Sequence, residues 1–233
     1  MHSIFVCGTD TGVGKTYFCG RLLKYLLDRK QSAGYQKWVS TGHRDLPADL
    51  VAVMNAAAVS LEPEILDLQV PFRFSMPASP HLAGETEGRS VVPEKVRACF
   101  RELRERYELL VVEGVGGLLV PLTRDLLLAD LLAELQLPTL VVARSGLGTL
   151  NHTLLTLEAL RNREVPILGV VFSDSSEQED DTIVADNLKT VAEMGRVTVF
   201  GRMARIPGDD SLAGRAFSPI GGAILRAINF SLA

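Results

Sequence analysis

Gly8-Thr9-Asp10-Thr11-Gly12-Val13-Gly14-Lys15-Thr16 follows a short apolar run, residues 3–7, and opens an amphipathic segment, residues 16–29. A glycine-rich turn in that strand-to-helix context reads as a phosphate-binding loop. Glycines let the backbone fold tightly, so the amides of Gly12, Val13 and Gly14 point inward at an anion. The helix N-terminus adds partial positive charge. Lys15 bridges the outer phosphates, and the Thr16 hydroxyl stands where Mg²⁺ would touch it. Five residues separate Gly8 from Gly14, one more than the usual four, which makes this a longer variant of the Walker loop. Nucleoside triphosphate binding is the expectation.

Outward from the loop, apolar runs alternate with amphipathic ones. Residues 16–29 place Phe18, Leu22 and Leu26 on one ridge and Cys19, Leu23 and Leu27 on the next, a single stripe at spacing four. Further helices are predicted at 48–59, 93–106, 126–135, 150–163 and 180–194. Pro93 suits a first helical turn. Strands are predicted at 3–7, 32–39, 109–112, 139–143, 167–172 and 197–200. Several are continuous runs of Val, Leu and Ile, as when helices cover both faces of a parallel sheet. The pattern predicts an α/β fold: a doubly wound, mostly parallel sheet flanked by helices, of the P-loop NTPase kind. No repeat or low-complexity linker interrupts it, so residues 1–233 are expected to form a single nucleotide-binding domain. Residues 212–232 carry a glycine-interrupted helical pattern with unclear caps.

Composition narrows the function. Hydrophobic residues are 47% and charged residues 22%, ordinary for a globular protein. No apolar run reaches the roughly 18 residues of a membrane-spanning helix. The N-terminus lacks the basic-then-apolar pattern of a secretory signal, so a cytoplasmic location is expected. Net charge is −4 without a dense Lys/Arg run, which argues against nucleic-acid binding. Cys7, Cys19 and Cys99 have neither metal-ligand nor disulfide-framework spacing and are expected to be buried thiols.

A nucleoside triphosphate brings Mg²⁺, which takes oxygen ligands and keeps several waters. Glu113 ends the apolar run Leu109-Leu110-Val111-Val112 and precedes Gly114-Val115-Gly116-Gly117. It is expected to face the phosphates, with the glycines allowing close backbone approach. Asp49 opens a predicted helix, where an aspartate is as readily a first-turn charge as a ligand. Asp10 is expected to shape the turn through backbone hydrogen bonds. Lys37 closes the second strand. An ammonium there requires an anion, unless it lies on an edge strand and reaches water. With Lys15 it would put two positive charges on one anion, the arrangement that stabilises a transferring phosphoryl group.

These segments together resemble the dethiobiotin synthetase family. The resemblance rests on residues 8–16, Gly34-Tyr35 with Lys37, Thr41-Gly42, Ala48-Asp49-Leu50, Pro77-Ala78-Ser79-Pro80-His81, Val112-Glu113-Gly114-Val115-Gly116-Gly117, Pro121-Leu122, Asp130 and Gly146-Leu147-Gly148-Thr149-Leu150-Asn151-His152. They keep order and spacing to about residue 175; beyond that the likeness is weak. The resemblance implies an ATP-dependent cyclo-ligase of biotin biosynthesis. 7,8-Diaminononanoate takes up CO₂ as a carbamate, whose oxygen attacks the γ-phosphate of ATP. The neighbouring amine closes a ureido ring on the carbamic–phosphoric anhydride, leaving dethiobiotin, ADP and phosphate. It further implies that Thr16, Asp49 and Glu113 hold Mg²⁺, that Lys15, Lys37 and Thr11 are catalytic, and that Thr11, Lys37 and Thr41 hold the carbamate. Gly148, Thr149, Leu150 and Asn151 then bind the substrate's tail carboxylate from the second subunit of a homodimer. His81 and His152 read as structural or substrate-lining.

One departure bears on the base. The family's Asn-Asp pair after the strand ending at Phe172 is Ser173-Asp174 here, and the proline usual near residues 201–206 is absent. A hydroxyl at Ser173 lacks the paired donor and acceptor of an amide, so weak base discrimination is expected. Two alternatives remain. One is a carboxyl-activating, amide-forming relative, which usually carries a glutaminase domain with a cysteine nucleophile. The other is a nucleotide-switch ATPase of the partition or septum-positioning type, which would show a second loop lysine, a membrane helix or a basic patch.

Overall fold

The computed structural model describes residues 2–43, 45–176, 178–206 and 208–230. Its elements run β1 (His2–Gly8), α1 (Lys15–Leu27), β2 (Ala33–Lys37), β3 (Val39–Thr41), α2 (Ala48–Ala57), a 3₁₀ turn (Pro63–Ile65), α3 (Leu66–Gln69), β4 (Phe72–Phe74), α4 (Pro80–Thr86) and α5 (Pro93–Arg104). They continue with β5 (Leu109–Gly117), α6 (Leu128–Leu135), β6 (Thr139–Arg144), α7 (Thr149–Arg161), β7 (Ile167–Ser173), α8 (Asp181–Met194), β8 (Val199–Met203) and α9 (Asp210–Phe230). The main sheet has the order β2-β5-β1-β6-β7-β8, every neighbouring pair parallel. The doubly wound fold expected from the apolar alternation is the fold observed.

Strand periodicity divides the core. Ile4 and Val6 of β1 join Tyr35 and Val111 on the face covered by α1, α2 and α9. Phe5 and Cys7 join Leu110 and Val112 on the face covered by α5, α6, α7 and α8. Both expected ridges of α1 are buried as far as Leu26. Its first turn follows Gly14 at φ 97°, a left-handed conformation that glycine adopts without a Cβ clash. The chain leaves β1 towards β2 and later returns to lay β5 between them. The loops that follow β1, β2 and β5 therefore open together at the carboxyl ends of the strands, where open α/β sheets bind ligands.

Several expectations need correction. The strand expected over residues 32–39 is two strands. β2 stops at Lys37, Trp38 packs its ring at a tilt against Phe5 of β1, centroids 4.7 Å apart, and β3 pairs with β4 in a separate small sheet. Trp-Val-Ser-Thr favours strand throughout, so local propensity carries no sign of that break. β5 runs to Gly117 rather than Val112, and Glu113 sits within it rather than at its tip. Gly114 has a packing role rather than a ligand-approach role: an added Cβ would lie 2.8 Å from the Phe5 ring. The weak helical pattern over residues 212–232 is α9, which starts earlier, continues through Pro219 and presses Gly221 on the Tyr25 ring. Residues 231 and 232 of that pattern lie outside the described ones.

Candidate active site

Register builds the centre of the site. Lys37 on β2 pairs with Glu113 on β5, and Glu113 pairs with Val6 on β1. Paired residues on neighbouring parallel strands project to the same side. Lys37 and Glu113 therefore both face α1 and α2, which bring Thr16 and Asp49 in their first turns. Lys37 Nζ lies 2.6 Å from Glu113 Oε1 and 2.9 Å from Asp49 Oδ2. The Thr16 hydroxyl is 2.9 Å from Glu113 Oε1 and 3.1 Å from Asp49 Oδ1. Four side chains from four segments thus meet at one point.

Burial decides between the readings left open by the sequence. β2 is an edge strand, yet Lys37 is only 3% exposed and meets two carboxylates rather than water. Glu113 is fully buried, so it is not a solvated loop residue. Burial alone would lower the Lys37 pKa, but Glu113 and then Asp49 raise it above the ordinary lysine value. For Asp49, burial works upward, but Lys37 together with Thr16 and Lys15 outweighs it, leaving the carboxyl below its usual range. Lys15 moves the other way: burial first, then the Lys37 charge, lowers its pKa. Its ammonium donates to the Asp10 carbonyl oxygen at 2.8 Å, and Asp10 Oδ1 accepts from the Thr11 amide at 2.7 Å, so Asp10 shapes the turn.

This cluster forms the floor of a cleft of about 730 Å³. Thr11, Gly12, Gly14, Lys15, Thr16, Lys37, Thr41, Asp49 and Glu113 all line it, opposite residues 77–80 and Val115, Gly116 and Val120. Val13 does not, because its side chain is buried in the core and only its backbone can serve a phosphate. Ser173 lies on the far side of the loop with its hydroxyl against Gly14. It lines a second hollow of about 400 Å³ with Tyr17, Asp174, Ser175 and residues 203–206. A third hollow of about 610 Å³ between α1 and α9 is remote from the loop, and its Arg21 and Lys24 pair with Asp210 and Asp28.

Gly148, Thr149, Leu150 and Asn151 are not brought to the cleft within one chain. Gly148, at φ 90°, starts α7; the Thr149 hydroxyl pairs with Thr153, and Asn151 is exposed. His152 lines a shallow groove with Leu119 and Leu155, and His81 Nδ1 is buried without a hydrogen-bond partner. Cys7, Cys19 and Cys99 are all buried thiols, and burial pushes Cys7 up to about 12. Tyr35 escaped the sequence reading as a site residue. Its hydroxyl donates to Glu113 Oε2 at 2.8 Å, and only its spacing of two from Lys37 hinted that it shares that face.

Two carboxylates and a hydroxyl converge beside the phosphate loop. That hard, all-oxygen partial set suits Mg²⁺ bound together with phosphate oxygens and water. Among the described residues, no helix is long and apolar enough to cross a membrane.

A family model described as an AAA domain matches residues 2–214. The chain is 39% identical to the ATP-dependent dethiobiotin synthetase BioD of Anaeromyxobacter dehalogenans strain 2CP-C, over 99% of this chain and 100% of that one. It is 35% identical to the protein of the same description from Methanocaldococcus jannaschii, over 85% and 92%. The likeness therefore continues past residue 175. Among solved structures, an ATP complex of a Cyanothece McdA variant matches with a TM-score of 0.60 at 12% identity, covering 98% of this chain and 96% of that one. The Pyrococcus furiosus cell division ATPase MinD matches with a TM-score of 0.54 at 15% identity, covering 97% and 99%. At such identities the likeness is one of fold.

Proposed function

The chain belongs to the dethiobiotin synthetase family, and from that premise we propose that it closes a ureido ring on 7,8-diaminononanoate, using CO₂ and ATP in a cleft held by Lys15, Lys37 and three oxygen ligands. The observation that carries the mechanism is the second buried lysine. A loop that only holds a nucleotide needs Lys15; Lys37, at the floor of the same cleft, suits a reaction in which two anions must meet.

The carbamate forms on one amine with loss of a proton, and Thr11 and Thr41 donate hydrogen bonds to it. Its oxygen approaches the γ-phosphorus in line, held there by contacts rather than by a covalent nucleophile. Lys15 and Lys37 neutralise the charge that spreads over the phosphoryl oxygens as the bond to ADP breaks. The second amine then attacks the carbamoyl carbon, loses its proton and expels phosphate. Thr16, Asp49 and Glu113 would hold Mg²⁺, which screens the triphosphate and orients its terminal group. The backbone of Gly12, Val13 and Gly14 would cradle the phosphates.

The base would occupy the hollow beside Ser173, where most polar side chains are already engaged. Asp174 accepts from Arg202 and Ser145, Ser175 donates to Glu179, and Arg205 donates to the Ser175 carbonyl. Among the side chains lining the hollow, Ser173 and Tyr17 carry hydroxyls, each donor and acceptor at once, which favour no particular base edge. One experiment tests both parts. Phosphate release is measured with ATP, CTP and GTP, each with and without diaminononanoate and bicarbonate. Release should require both co-substrates and yield dethiobiotin, with kcat/KM for the three nucleotides within about tenfold. Turnover indifferent to the diamine would favour a nucleotide switch. A preference for ATP above about a hundredfold would refute the account of the base pocket.

The working unit is a homodimer with shared sites. Residues 148–151 stay off the cleft of their own chain, while Leu147, Leu155 and Leu119 are 91%, 55% and 51% exposed around α7, an apolar face that a second copy would cover. Light scattering should give twice the chain mass of 25.3 kDa. A monomer that remains active would remove Gly148, Thr149, Leu150 and Asn151 from the site.

A further inference from the structure

Glu113 is fully buried and has two distinguishable oxygens. Oε1 faces the cleft cluster, 2.6 Å from Lys37 Nζ and 2.9 Å from Thr16 Oγ1. Oε2 points back along β2 and accepts from the Tyr35 hydroxyl at 2.8 Å. Tyr35 is itself fully buried, pairs in register with Val111 and stands two residues before Lys37 on the same face. The last torsion of a glutamate is broad and two-fold, so packing at the Cγ does not fix the plane of the carboxylate. A donor on the inner side does.

We propose that Tyr35 is a positioning residue of the metal site, whose hydroxyl pins Glu113 Oε2 so that Oε1 is presented to the cation. The inference rests on reading Glu113 as a metal ligand. Partners of this kind, one step removed from the metal, orient ligating carboxylates and commonly govern metal affinity. Removing the hydroxyl frees the carboxylate plane to turn, so that both oxygens can close on Lys37 and neither is held toward the cation. The ring itself stays in the apolar cluster that includes Ile4, Val6 and Val111.

The test uses the full chain with Tyr35→Phe, Glu113→Gln and the double variant. Mn²⁺ affinity is read by electron paramagnetic resonance in the presence of a nonhydrolysable ATP analogue, beside the Mg²⁺ dependence of turnover. Tyr35→Phe should weaken Mn²⁺ binding and raise the half-saturating Mg²⁺ by about tenfold. Its kcat at saturating Mg²⁺ should stay within about threefold of the parent, a separation that a general loss of structure would not produce. The double variant should bind Mn²⁺ as Glu113→Gln does, because the hydroxyl acts only through that carboxylate. 4-Fluorophenylalanine at position 35 fills the hydroxyl's volume without donating, and should reproduce the phenylalanine result should the latter fold poorly. Unchanged Mn²⁺ affinity in Tyr35→Phe beside a weakened Glu113→Gln overturns the role of Tyr35. Turnover that saturating Mg²⁺ does not restore, or additive losses in the double variant, also overturns it. Unchanged affinity in Glu113→Gln removes the metal-ligand reading itself.

Discussion

Lys37→Ala is expected to lose turnover and stability together. Its ammonium is the cation proposed to meet the carbamate and the γ-phosphate, and loss of one preorganised charge at a phosphoryl transfer costs about a thousandfold in kcat. The same ammonium sits 2.6 Å from a fully buried carboxylate and 2.9 Å from a second one. Without it, Glu113 is a buried charge without its counter-ion, and removing one partner of a buried pair costs on the order of 3 kcal/mol. For a chain of this length that is a drop of about 10 °C in Tm. The pH window follows from the direction of the shift. Lys37 has a raised pKa in the fold, so its stabilisation is complete below the ordinary lysine value and fades only as pH rises through the higher folded value. Parent and variant should therefore differ in Tm at pH 7 to 9 by a constant amount. An unchanged Tm in calorimetry would mean that the Lys37–Glu113 contact contributes little. Near-normal kcat would remove Lys37 from the mechanism.

Lys15→Ala should lose activity by a similar factor and keep its Tm. Lys15 donates to a backbone carbonyl rather than to a carboxylate, and its pKa is lowered by burial and by the Lys37 charge. The folded state therefore disfavours the charged form, so at neutral pH the ammonium works against folding rather than for it. Alanine removes that cost along with the phosphate contact. Calorimetry without nucleotide should give a Tm equal to the parent's or higher, while ATP should no longer raise it. A Tm several degrees lower would show Lys15 to be a structural cation like Lys37. Two lysines in one cleft, equal in their expected effect on turnover, are thus separable by stability alone.

The second lysine also separates this site from a simple nucleotide holder. A cation with two carboxylates beside it can change partners when a phosphate group arrives. Lys15 donates to one backbone carbonyl and keeps its other protons for the phosphates. On the proposed function, turnover would depend on Lys37, Glu113 and Asp49 acting as a unit. Single substitutions within that unit should not be additive.

The phosphate loop was legible because everything it needs lies in nine consecutive residues: glycines for the turn, a lysine, a threonine, and a strand and a helix on either side. The sheet was legible for a related reason. A strand covered on both faces is apolar throughout, so runs such as Leu109-Leu110-Val111-Val112 declare themselves. Local sequence therefore determined the fold class, the glycine-rich loop between strand and helix, and the main helices that flank the sheet. Tertiary structure alone decided that Lys37 meets Glu113 across 76 positions and that Thr16 meets Asp49 and Glu113 across 33 and 97. That meeting depends on β5 inserting between β2 and β1 in one register, and a shift of one residue would turn Glu113 to the opposite face. Strand order and register are set by the packing of distant apolar faces, which no spacing within a segment records. The Trp38 break and the part played by Tyr35 were hidden for the same reason: each follows from a partner on another strand, Phe5 for the one and Glu113 for the other.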